Sequence, residues 1–119
     1  MEKLKEQLDA AIVDARSWAA RGWKMQFGSH GRSVDSLSAA HDVPLQSGRQ
    51  EALAYWQTVE GVGQETAVQG EKARLALDGH DLGAAHNALF LAVFLERKIR
   101  KEAPTWGPVL TALEAQGGR

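Results

Sequence analysis

From Leu4 the apolar and small residues fall at Leu4, Leu8, Ala11, Ala15, Trp18, Gly22 and Met25. Steps of four and three place them on one stripe of a helix of about seven turns. Ile12, Ala19 and Trp23 widen that stripe, and Gly28 is expected to end the helix. A second stripe, Ala52, Trp56, Val59, Gly63, Thr66, Gly70, Ala73 and Leu77, predicts another long helix. Its start is marked by the capping box Ser47-Gly-Arg-Gln50, in which the Ser hydroxyl accepts the N3 amide and the Gln side chain returns to the cap amide.

The third pattern differs in kind. Ala88 to Leu95 is eight apolar residues without a break, inside a stretch from Asp81 to Glu102 that reads as one helix. A helix apolar on every side needs cover on every side, so it is expected at the centre of the fold. Asp78-Gly79-His80-Asp81 leaves room only for a tight antiparallel turn, with Gly79 closing one helix and Asp81 capping the next. Folding the chain back there sets Leu89 against Gly70, Val93 against Thr66, and Glu96 near Gly63. Gly61, Gly63 and Gly70 then mark where the two backbones of the hairpin approach, since each costs roughly 1 kcal/mol against Ala in a helix interior.

Phe90, Leu91, Phe94 and Leu95 point away from that seam, and the first helix, through Trp18, Trp23 and Met25, is expected to cover them. Pro104 disfavours helix at Ala103 and should stop the central helix. Thr105 then caps a short helix from Trp106 to Gln116, with Pro108 tolerated in its first turn and Val109, Leu110 and Leu113 on one face.

The expected fold is therefore all-α: one domain over 1–119, a small helical bundle with a central antiparallel hairpin, a long N-terminal helix and a short C-terminal helix. Residues 28–47, rich in Ser and Gly, read as a connecting loop, with a short helix over 34–41 capped by Ser33. Three long helices and a lid do not enclose the all-apolar run, so a second copy is expected to bury the remainder as a homodimer.

Composition narrows the chemistry. Lys and Arg total 14 against 15 Asp and Glu, a formal net charge of -1, so no global field favours nucleic acid or an anionic membrane. The absence of Cys removes disulfides, thiolate nucleophiles and Cys-based metal sites. The apolar run would reach about 12 Å as a helix against a hydrocarbon core of roughly 30 Å, so no membrane span is expected. Met1 to Leu8 alternates charged and apolar residues without the apolar core of a secretory signal, and a cytoplasmic location is the expectation.

No nucleophile sits in a recognisable turn, and neither His-x-x-x-His nor Glu-x-x-His occurs, so no metal site and no cofactor are expected. Arg74 and His80 stand at the Arg-x5-His spacing of HEPN-type ribonucleases, a two-residue match that chance readily supplies.

Three readings of function remain. The first is a non-enzymatic interaction or regulatory module, dimeric, using the hairpin and Trp106. Following a proline and beside a glycine, Trp106 is the tryptophan expected to be exposed and to anchor a partner. The second is a small-molecule- or metal-binding protein, or a hydrolase, with a pocket between helices built from His86, Asn87 and the loop residues His30, His41 and Asp42. The third is phosphate contact with nucleic acid through Arg97, Lys98, Arg100 and Lys101, with Trp106 stacking on a base.

Overall fold

The computed structural model describes residues 1–27 and 48–117, with the backbone alone at 48–50. Among these residues there are four helices and no strand: α1 Glu2–Phe27, α2 Gly48–Asp78, α3 Leu82–Glu96 and α4 Trp106–Ala115. The chain is all-α, as the periodicity predicts. The stripe of α1 is buried at Leu4, Leu8, Ala11, Ile12, Ala15, Gly22 and Met25. The whole predicted stripe of α2, from Ala52 to Leu77, is buried as well. The 28–47 loop, the helix at 34–41, the Ser33 cap and the Ser47 to Gln50 capping box lie outside the described residues or side chains.

The helix at the centre is α2. It packs against α1 along one flank and α3 along the other, while α4 bridges the far ends by touching both α3 and α1. Among the described residues the backbones of α1 and α3 do not come together; Phe90, Leu91 and Phe94 stay exposed and Leu95 is half-buried, which corrects the expectation that the first helix covers Phe90, Leu91, Phe94 and Leu95. The reason lies in the glycines. A Cβ built on Gly63 would stand 2.7 Å from the amide nitrogen of Ala19 and 2.8 Å from the carbonyl oxygen of Ala15. One built on Gly22 would stand 2.7 Å from the amide of Glu60 and the carbonyl of Trp56. The backbones of α1 and α2 therefore touch, and Gly63 serves α1 rather than α3.

At Gly70 the closest groups are the Trp106 ring, at 2.5 Å from such a Cβ, and Ile12 at 2.7 Å, not Leu89. Gly61 has nothing within 4 Å and marks no approach at all. Trp23, expected on the inner stripe, is exposed and meets Phe27 at 5.7 Å between ring centroids.

Among the described residues two apolar clusters result. The larger joins Leu4, Leu8, Ile12, Leu77, Leu89, Val93, Trp106 and Leu113; the smaller joins Met25, Ala52, Trp56 and Val59 and is flanked by Trp18 and Ile99.

The α2–α3 turn is tight, as expected, but its left-handed residue is His80 (φ 59°) and not Gly79. The His80 amide donates to Leu77 O at 3.0 Å and the Asp81 amide to Ala76 O at 2.8 Å, the paired bonds of a Schellman ending. Asp81 caps α3 by accepting from the Ala84 amide at 3.0 Å.

Helix α3 ends at Glu96, well before Pro104. The Lys98 and Ile99 amides turn to the carbonyls of Leu95 and Glu96, three residues back, which tightens and closes the last turn. Glu96 is itself the reason the chain can close here. Its buried carboxylate accepts from the Thr105 amide at 3.2 Å and the Trp106 amide at 3.0 Å, and so caps α4 from another helix. Thr105, the expected cap, makes no such bond; its hydroxyl donates to Asp14 at 3.2 Å. Trp106 is driven into the gap over Gly70 and is 2% exposed, so the indole expected on the surface belongs to the core.

Candidate functional site

The cover that α3 lacks defines the surface of interest. Its inner face, Ala85, Ala88, Leu89, Ala92, Val93 and Glu96, is buried against α2 and α4. Its outer face carries Phe90 at 61% exposure, Phe94 at 57% and Leu91 at 41%. No Asp, Glu, Lys or Arg lies between Asp81 and Glu96, so nothing charged interrupts this strip. Large apolar side chains bare on adjoining turns of one helix are what a contact surface requires and what an isolated soluble fold avoids.

The edges of the strip are polar. Lys98 holds its ammonium 5.6 Å from the centre of the Phe94 ring, a cation–π arrangement at the C-terminal end. His86 stacks on Phe90 with ring centroids 6.3 Å apart, and its Nε2 lies 3.2 Å from a Glu114 carboxylate oxygen of α4. His86 is thus engaged at the α3–α4 seam. Asn87 is exposed on the outer face. His30, His41 and Asp42, which would complete a pocket around His86, lie outside the described residues.

The basic cluster divides. Arg97, Lys98 and Lys101 are exposed, whereas Arg100 folds inward. The Arg100 guanidinium carbon sits 4.2 Å over the Trp18 ring, and one of its nitrogens is 3.8 Å from Glu96. Arg21 approaches the same indole at 4.7 Å. Buried Trp106 is not available to stack on a base.

Among the described residues, two concavities lie elsewhere. One, of about 20 Å³, is lined by residues including Asp14, Thr66, Glu96 and Arg100, and has room for a single water. Thr66 donates within its own helix to Val62 O at 2.9 Å. The other is an open groove of about 430 Å³ between α1 and α2, whose apolar lining is Ile12, Val13 and Leu75. Its walls are charges already paired with one another: Arg16 with Glu71, and Arg74 with Asp9 at 3.1 Å and with Asp78. Arg74 is therefore held in a structural network, and His80 shapes a turn. His86 lines neither concavity. Among the described residues no group of three or more His, Asp and Glu could hold a metal ion, and no helix is long and apolar enough to cross a membrane.

Sequence reasoning missed the exposure of Phe90 and Phe94, although a signal was present. Helix α1 has one narrow stripe, and α2 with its glycines already takes it, so no second apolar face of α1 was left for α3. It also missed Glu96 as a cap, for which a carboxylate nine residues before Thr105 gives no local signal. Compared with known family models, with curated protein sequences and with solved structures, the chain finds no match.

Proposed function

We propose that this chain is a non-enzymatic protein-interaction module that works as a homodimer through the outer face of α3. One observation carries the reading: Phe90, Leu91 and Phe94 are exposed on a helix whose opposite face, Ala85, Ala88, Leu89, Ala92 and Val93, is core. Burying such side chains is the main favourable term in association, and a twofold contact lets one patch serve both chains. The polar groups near the strip support binding more than catalysis. His86 is occupied by Glu114, and Lys98 covers Phe94 in the manner of a rim residue.

Light scattering at micromolar concentration tests the reading. The native chain is expected at twice its chain mass, and Phe90→Ser/Phe94→Ser at one chain mass with an unchanged helical circular-dichroism spectrum. A native mass of one chain defeats the proposal, as does a double variant that stays dimeric.

A further inference from the structure

The outer face of α3 is graded along its length. Its exposed positions at the N-terminal end are Gly83, Ala84 and Asn87, and those towards the C-terminal end are Phe90, Leu91 and Phe94. Small side chains lie at one end and large ones at the other. The flanking charge is graded too: Asp81 stands at the start, and exposed Arg97 and Lys98 follow the end.

We infer that two copies of this chain dock α3 against α3 in antiparallel register, with the twofold axis close to Leu91. The inference rests on the reading of α3 as a homodimer face and names how the second copy sits on it. Both gradients select the antiparallel arrangement. Positions 84, 87, 91, 94 and 98 step by three and four and form one seam. With Leu91 on the axis, Phe94 of one chain lies over Asn87 of the other, and Lys98 lies over Ala84, one turn from Asp81. Large groups then fill the space left by small ones, as close packing demands. A parallel pair would set Phe94 against Phe94 while leaving a gap at Gly83 and Ala84. Charge points the same way, because antiparallel docking brings the acidic start of each helix to the basic end of the other. A parallel pair would oppose Lys98 to Lys98 and Asp81 to Asp81, which like-charge repulsion disfavours. The two helix dipoles also cancel only in the antiparallel pair.

The chain has no Cys, so single-Cys variants report the register directly. Ala84→Cys and Lys98→Cys are purified separately, then oxidised alone and as an equimolar mixture allowed to exchange subunits. In the antiparallel register the two Lys98 α-carbons are about 21 Å apart along the axis, far beyond disulfide reach, whereas Ala84 and Lys98 are opposite. The mixture is expected to give covalent dimer, and neither variant alone. Asn87→Cys with Phe94→Cys repeats the measurement without removing a charge. Self-linking of Lys98→Cys, or a protein that is dimeric by light scattering yet links in neither mixture, overturns the antiparallel register and leaves the dimer standing. A native chain that is monomeric overturns the dimer itself.

Discussion

The backbone of Gly63 lies directly against that of Ala19, with no space for a methyl group between them. Alanine at 63 gains roughly 1 kcal/mol in helix propensity but must push α1 and α2 apart, and overpacking of this kind costs about 1–3 kcal/mol. Gly61, two residues away in the same helix, has nothing within 4 Å and would collect the propensity gain alone. Gly63→Ala is therefore expected to lower stability while Gly61→Ala raises it by up to about 1 kcal/mol. Urea denaturation of both variants checks the opposite signs. Equal effects would mean that α1 and α2 are not in backbone contact.

Glu96 joins the end of α3 to the start of α4 through bonds to the amides of Thr105 and Trp106. Replacing it by Ala strands two amide donors at the start of a helix, one of them buried, and removes a favourable charge from that helix N-terminus. A loss of about 3 kcal/mol is expected. Glu96→Gln keeps an acceptor but not the charge and should lose about half of that. Amide exchange at Trp106 should accelerate in both variants, more in Glu96→Ala. A loss below about 1 kcal/mol for Glu96→Ala would show that the cap is dispensable.

Those two sites show where sequence reading reaches and where it stops. The stripes of α1 and α2 were legible because helical period is a local property, and so was Asp81, whose cap acts three residues ahead. What the glycines of α2 were for was not legible. Gly63 signals that some backbone comes close, but only the assembled bundle shows that it is α1 across the 28–47 connection rather than the adjacent hairpin arm. The burial of Trp106 and the exposure of Phe90 share that cause: each depends on which helix occupies the other flank of α2. The ending of α3 at Glu96 was hidden because Pro104 sets only the furthest point a helix can reach.

His80 occupies the left-handed region at φ 59°, where an L side chain costs roughly 1–2 kcal/mol, while glycine beside it sits at an ordinary helical ending. Replacing His80 by Gly removes that strain, offset to some extent by the greater freedom of glycine in the unfolded chain. A net gain of about 0.5–1 kcal/mol is expected in thermal or urea unfolding. His80→Val should lose stability, since a β-branched side chain suffers most in this region. A stabilising Val would contradict the backbone assignment at the turn.

Asp78 receives hydrogen bonds from Arg74 and Lys5, the latter at 3.3 Å, and these, Arg74 first, hold its carboxyl below the usual carboxylate range. The same contact with Asp78 raises the Arg74 guanidinium further above its ordinary value. Because the folded carboxyl is the stronger acid, its contribution to stability is complete above the unfolded value of about 3.9 and is lost as pH falls through the lower folded value. Asp78→Asn is therefore expected to be less stable than the native chain at neutral pH, with the difference closing as the pH drops below about 4. These groups face solvent, so high salt should shrink the difference as well. Urea titrations at neutral and acid pH, with and without salt, measure both effects. A difference that stays constant across pH would show that Asp78 is not paired with Arg74 and Lys5 in the folded chain.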